Sequence, residues 1–353
     1  MTSEIGINPA QLDSDPVLLR DAFFQLGARS LLGLKGAREW GGVQLPREVF
    51  FQFQETVARY SGALAFLQTQ HQSAVSKLAS CPNQDLKERF LADATQGKTG
   101  LGVGFSQLRR SGSPLVKAIP VEGGYQVSGE VPWVTGYGCF QFFILGAVLP
   151  DQHVIFGLLP FSDRRQDSGG SLTVSQPMEL AAMRSTNTVK VHLDNWFMAD
   201  SEVLDLKPAD WIHQSDRHNA LNHSFFALGC ARAGLDVVHR ATDQADTSTS
   251  IGATWDALDQ QLTHCREAIY QAQYQVGIKE PEEGLGDRLR FRAEAIDLAV
   301  RCAHAAVVVS RGAANALSHP AQRIYREALA FSVFGQTTAV MDATLAQIIK
   351  SSR

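Results

Sequence analysis

Trp133 and Thr135 lie two residues apart in the stretch 124–136, Gly-Tyr-Gln-Val-Ser-Gly-Glu-Val-Pro-Trp-Val-Thr-Gly. At strand period such a pair shares one face. There an indole can cover a flat ring while a hydroxyl bonds the ring's edge. Tyr125 and Val127 alternate with Gln126 and Ser128, so the run reads as a strand, broken at Gly129 and reopened at Trp133. Just upstream, Gly100, Gly102 and Gly104 alternate and would leave one strand face bare for a planar ligand or another backbone. They do not form Gly-x-Gly-x-x-Gly in a strand-turn-helix unit, so a nicotinamide-binding Rossmann domain is not indicated. On spacing alone, a half-buried hairpin explains the same residues.

Two histidines could move protons. His71 lies in the helical run Leu67-Gln68-Thr69-Gln70-His71-Gln72, and His223 in Asn222-His223-Ser224-Phe225. A helical histidine among polar neighbours is ordinarily a surface or hydrogen-bonded residue. Asp216, His218, His223 and Ser224 are close in sequence, but a triad is assembled by tertiary geometry and not by sequence proximity. The chain has no His-Glu-x-x-His, no Walker loop and no Gly-x-Ser-x-Gly. No metal site is expected.

The bulk numbers narrow the class. A chain of 353 residues suggests about two to three domains. With 44% apolar residues and 19% charged ones, it can bury a large core. A net charge of −4 without a basic block argues against nucleic acid. Apolar stretches such as Phe142 to Pro150 are too short to span a bilayer. Residues 1–15 lack the basic and apolar regions of a secretory signal. The five scattered cysteines form no Cys-x-x-Cys pair and read as reduced thiols, so the expected location is cytoplasmic.

Three regions must position these groups. Residues 1–98 are helical in character: Pro16 to Gly27 with Asp15 as N-cap, a Gly-rich turn from Gly33 to Pro46, then Arg47 to Ala79 interrupted at Ser61-Gly62, and Asn83 to Gln96. Residues 99–205 switch to period two, with strand-like runs at 99–105, 125–128, 142–148, 154–159 and 189–193, which suits an antiparallel barrel or sandwich. Residues 206–353 return to helix. Ala- and Gly-rich Ser224 to Arg240 suits close packing, and Ile296, Val300, Ala303 and Val307 form one apolar stripe.

Five segments carry a family resemblance: Glu39-Trp40-Gly41-Gly42, Gly104-Phe105-Ser106, Trp133-Val134-Thr135, Met183-Arg184-Ser185-Thr186-Asn187-Thr188, and Pro320-Ala321-Gln322-Arg323-Ile324-Tyr325-Arg326-Glu327-Ala328. Together they resemble the acyl-CoA dehydrogenase superfamily. The resemblance implies an α+β, mostly α fold, with an N-terminal helical domain, a small antiparallel β domain and a C-terminal four-helix bundle. It implies FAD at the β domain, with Phe105, Ser106, Trp133, Thr135, Arg184 and Gly312 as cofactor-binding residues and Ser185 near the domain junction. It further implies an acyl-CoA or carrier-protein thioester as substrate, an electron-transfer flavoprotein as partner, and a homodimer or homotetramer.

The chain departs from that pattern. The family's proton-abstracting glutamate corresponds to Gly335, within Phe334-Gly335-Gln336-Thr337, and the alternative position on the first bundle helix offers only His223. The Arg-x-x-Phe-Gly segment that reaches the cofactor of a neighbouring subunit is absent between Ala241 and Thr254, where Asp243 and Asp246 would repel phosphate. Arg109 or Arg110 could supply positive charge instead. Pro132, Gly136 and His319-Pro320 look closer to the flavin monooxygenases of this fold, which take reduced FMN or FAD from a reductase and need no such glutamate. For that branch His71 is the flavin-facing candidate. Desaturation, oxygen insertion, and ligand binding without turnover all stay open.

Overall fold

Helix α2 (Pro16–Ala28) starts where Asp15 accepts hydrogen bonds from the N–H groups of Val17 and Leu18 at 2.9 and 3.1 Å, with Pro16 already in helical φ. The computed structural model describes residues 8–242, 249–276 and 282–351. Before α2 lies the short helix α1 (Pro9–Ser14). Helices α3 (Arg47–Tyr60) and α4 (Gly62–Ala79) divide at Ser61, whose hydroxyl caps Leu64 N at 3.3 Å. Asn83 caps α5 (Gln84–Thr95) in the same way, through Leu86 N at 3.1 Å. Helix α4 buries residues around most of its circumference, which marks it as the central element of the N-terminal region.

The middle region forms one nine-stranded sheet. Its strands are β1 (Leu101–Gly104), β2 (Val116–Val121), β3 (Gly124–Val134), β4 (Phe142–Val148), β5 (Val154–Pro160), β6 (Arg164–Arg165), β7 (Ser171–Val174), β8 (Val189–Ala199) and β9 (Val203–Lys207). The path runs β6-β7-β8-β3-β2-β4-β5-β9, with β1 on β4. The sheet is mixed: β1 and β2 both pair parallel with β4. That corrects the purely antiparallel expectation. The broken run at 124–136 is likewise a single strand of 11 residues, bent and not interrupted at Gly129. Gly129 sits at φ +133°, and a Cβ there would lie 2.0 Å from Leu115 O; only glycine lets the strand bend this way.

The alternate glycines of β1 serve packing rather than a ligand. A Cβ on Gly100 or Gly104 would come within 2.7 or 2.8 Å of the rings of Phe140 and Phe143, and one on Gly102 within 3.1 Å of Phe140. The bare face is filled by two buried phenylalanines.

The third region contains α6 (Trp211–His218), α7 (Ser224–Thr242), α8 (Thr249–Gln275), α9 (Leu285–Ser310), α10 (Pro320–Phe331) and α11 (Thr338–Ser351). Small residues let α7 lie close to its neighbours: a Cβ on Gly234 would meet the Cys302 carbonyl at 2.7 Å. One apolar core runs from α2 through the sheet to α10, and a second smaller one joins α4 and α5 to β1, β4 and β5. The five cysteines are free and buried. Among the described residues, no helix is long and apolar enough to cross a membrane, and no cluster of ligating side chains could hold a metal.

The signature run on α10, Pro320 to Ala328, is the junction of these regions. Glu327, fully buried, accepts from Gly62 N at 2.9 Å and from Arg323 Nη1 at 2.6 Å. Burial raises the Glu327 carboxyl pKa, and the Arg323 charge opposes that rise. Asp13 accepts from Met183 N at 2.6 Å and from Arg326. Ser185 donates to Leu12 O. Helices α1, α4 and α10 and the 183–186 turn thus meet in one polar knot. Replacing Glu327 by Ala strips Arg323 of its counter-charge and Gly62 N of its acceptor. A loss of about 3–5 kcal/mol in urea unfolding is expected; an unchanged midpoint would refute the role given to the knot.

Candidate active site

A cavity of about 610 Å³ opens between the turn after β1, helix α6, the turn before α7, helix α9, and helix α11 with the loop before it. Its wall includes Arg109, Asp216, Asn222, His223, Arg292, Gly335 and Gln336. Arg109 belongs to the 3-10 turn Ser106–Arg109 that follows β1 and packs on β3. It grips Asp216 of α6 by two parallel hydrogen bonds, Nε to Oδ2 at 2.8 Å and Nη2 to Oδ1 at 2.7 Å. This planar pairing is the strong geometry for arginine and carboxylate. Arg109 is therefore neutralised by a carboxylate, contrary to the free positive charge expected of it. Arg110 is exposed. Asp243 and Asp246 lie outside the described residues.

Arg292, 3% exposed on α9, is a second cation of the wall. Its partners are carbonyls: Ala220 at 3.0 Å, Gly335 at 3.2 Å, and Phe334. Burial and Arg109 lower its pKa to about 10, while Asp216 acts the other way. One guanidinium thus ties the turn before α7 to the loop before α11. Phe334 anchors that loop from below, packed on Phe66 of α4 and Phe331 of α10 with ring centroids 4.3 and 5.4 Å apart.

The clamp brings Gly335 and His223 together. Gly335 has φ +54°, and a Cβ there would lie 2.5 Å from His223 Cε1 and 2.7 Å from Nδ1. No side chain fits at 335 while the imidazole stands there. His223 is partly exposed, but its Nδ1 is buried and has no hydrogen-bond partner among the described residues. Asn222 Oδ1 and Gln336 Oε1 share that condition. Buried polar atoms are rarely left unpaired, and these three belong to residues that line one cavity. Burial first, then the charges of Arg292 and Arg109, hold the His223 pKa well below the ordinary imidazole value.

The other expected site residues lie elsewhere. His71 is fully buried on α4, with both ring nitrogens bound to backbone: Nε2 to Ala94 O at 3.0 Å, and Nδ1 accepting from Leu101 N at 3.1 Å. Phe23 meets the ring edge-on, centroids 5.3 Å apart. The ring pins α4 to α5 and to the start of β1. Trp133 is 52% exposed, while Thr135 is 5% exposed and its hydroxyl bonds Thr188 Oγ1 at 3.0 Å. A β-bulge between Val131 and Val134 breaks strict alternation, so indole and hydroxyl do not share one environment. Ser106 is exposed beside β3. Phe105 packs edge-on against Phe156 and Trp211. Arg184 is exposed and within 3.4 Å of Glu179, and Gly312 lies in an exposed 3-10 turn. Arg292 went unrecognised in the sequence. The signal was its place four residues before Ile296, in phase with the apolar stripe.

His71 gives a pH test. Burial lowers its pKa from 6.5 to about 4, against the two backbone hydrogen bonds. Between those values the unfolded chain binds the proton and the folded one does not. The contribution is therefore complete above about pH 6.5 and lost as pH falls toward 4, a loss of about 3 kcal/mol. Urea unfolding of wild type and His71→Gln at pH 7, 5.5 and 4.5 should show a smaller pH slope in the variant. Equal slopes would refute this assignment.

No protein-family model matches the chain. It is 23% identical over 362 aligned positions to benzylmalonyl-CoA dehydrogenase of Aromatoleum aromaticum, covering 98% of this chain and 94% of that one. It is 24% identical to mitochondrial isovaleryl-CoA dehydrogenase of Arabidopsis thaliana, over 51% of this chain and 44% of that one. Among solved structures, glutaryl-coenzyme A dehydrogenase with glutaryl-CoA superposes at a TM-score of 0.81 and 16% identity, over 100% of this chain and 93% of that one. The FAD complex of PigA superposes at 0.78 and 17% identity, over 98% and 97%. The chain has the acyl-CoA dehydrogenase fold, and its sequence resemblance to that superfamily runs along its whole length.

Proposed function

We propose that this protein is a flavin-dependent oxidoreductase of acyl-CoA dehydrogenase type that acts on a small acyl thioester. The observation that carries the reading is the cavity wall, where His223, Asn222 and Gln336, lining one cavity with Arg109 and Arg292, hold buried polar atoms without a partner among the described residues. It supports a ligand with a polarised carbonyl, since Arg292 carries a positive charge that, among the described residues, bonds carbonyls and no carboxylate.

The residues present suit FAD. The exposed indole of Trp133 offers a flat wall, and Ser106, on a turn packed against the same strand, offers an exposed hydroxyl. Thr135 keeps one further hydrogen-bonding valence beyond Thr188. The flavin would supply the acceptor for a hydride. The chain's own part is to orient the thioester, shield it from water and hold the proton that leaves. A second reading, oxygen insertion with flavin delivered reduced by a reductase, is favoured by the absence of a carboxylate at Gly335.

The visible spectrum of the purified protein incubated with FAD tests both readings. Bleaching by an anaerobic acyl-CoA supports dehydrogenation. A flavin that does not bleach, with oxygen consumption on addition of reduced flavin, supports oxygenation. A protein that takes up no flavin sinks both. Trp133→Ala should weaken FAD binding roughly five- to tenfold, from the ~1 kcal/mol of an aromatic contact; unchanged affinity would remove Trp133 from the site.

A homodimer or homotetramer is part of the proposal. Tyr325 and Leu329 on α10, with Val333 just beyond it, expose 39, 58 and 62% of their surface in one helical row. Light scattering should give a mass of at least two chains; a monomer at micromolar concentration would refute this.

A further inference from the structure

We propose that His223 is the proton acceptor of this cavity, in the place the missing carboxylate would have occupied, and that Arg292 is the residue that positions it. The inference rests on the oxidoreductase reading above and names the group that reading lacks.

Three observations converge on it. The first is exclusion: the imidazole stands 2.5–2.7 Å from where a Cβ at position 335 would be, so imidazole and glutamate are alternatives in one space. The second is that Nδ1, buried beside Gly335, has no hydrogen-bond partner among the described residues. A histidine with a purely structural role spends its nitrogens, as His71 does on Ala94 and Leu101. The third is the clamp. Arg292 holds carbonyls on both sides of the contact, Ala220 ahead of His223 and Phe334 and Gly335 opposite.

The charged groups facing the ring are Arg292 from α9 and Arg109 from the turn after β1, the latter paired with Asp216 of α6. The loop before α11 contributes the neutral amide of Gln336. The ring is therefore neutral at pH 7 and able to accept. In the step proposed, the C–H bond next to a thioester carbonyl breaks and its proton goes to an imidazole nitrogen. The electron pair stays on carbon and spreads to the carbonyl oxygen. Imidazolium and enolate arise together, so the cavity's net charge is unchanged, and the step is reversible without an oxidant.

Phenylacetyl-CoA isolates that step, because its acidic α C–H has no adjacent β C–H to lose hydride. The FAD-loaded full-length protein is incubated with it in D2O, and α-deuterium is followed by mass spectrometry. Binding is read separately from the perturbed flavin spectrum. Wild type should bind and exchange. His223→Asn should bind and exchange at least ~100-fold more slowly, the scale of a lost general base. Gly335→Glu alone should not improve on wild type, whereas His223→Gly with Gly335→Glu should restore exchange relative to His223→Asn. Equal exchange by wild type and His223→Asn would overturn the proposal while the oxidoreductase reading stands. So would binding without exchange by wild type, or no recovery in a folded double variant. Failure of wild type to take up FAD or perturb its spectrum with the thioester would overturn the oxidoreductase reading, and this proposal with it.

Discussion

The buried carboxylate of Glu327 holds the arrangement together. It lies on α10 in the third region, receives the first N–H of α4 from the first region, and is paired with Arg323 one turn away on its own helix. An unpaired carboxylate in that position would be costly. The two partners are therefore required together, and so is Gly62, where a Cβ would meet the carboxylate at 2.8 Å. One residue before Glu327, Arg326 reaches Asp13, which also holds Met183 N. These bonds lock α10 against α1, α4 and the 183–186 turn. The cavity wall depends on that lock, because Phe331 at the end of α10 supports Phe334, and Phe334 leads the loop that carries Gly335.

Around the cavity Arg109 and Arg292 have different work. Arg109 is spent on Asp216 and fixes α6 to the turn after β1. Arg292 is spent on carbonyl dipoles, which orient it without cancelling its charge. A guanidinium held by carbonyls keeps its field for whatever enters the cavity, and that field also disfavours protonation of His223. The same side chain thus sets geometry and electrostatics.

Much of the fold was legible because local signals agreed with the tertiary outcome. Asp15, Ser61 and Asn83 cap helices where hydroxyl, carboxylate or amide groups precede apolar periodicity, and Pro320 opens α10. The sheet was harder. Its parallel pairings on β4 join strands distant in sequence, which alternation cannot reveal. The glycines of β1 were misread because a bare strand face does not say what fills it; Phe140 and Phe143 do. His71 and His223 look alike in sequence, each a histidine among Gln, Asn or Ser. Only packing separates them, since one ring has both nitrogens bonded to backbone and the other has a buried nitrogen with none. The motif on α10 was recognisable as a signature, yet its role as a junction required the distant partners Asp13 and Gly62.

The loss of a carboxylate at Gly335 looks, in sequence, like the loss of a function. In space it is one half of an exchange. Position 335 adopts left-handed backbone, where glycine has no Cβ penalty, and an imidazole from the turn before α7 stands against it. A glutamate there would have added negative charge beside Arg292 and dampened its field; a neutral imidazole leaves that field intact. The exchange therefore shifts the cavity toward positive potential while retaining a group that can take a proton. That combination suits a substrate whose charge develops as the proton leaves, and it explains how this glycine and this histidine can belong to one site.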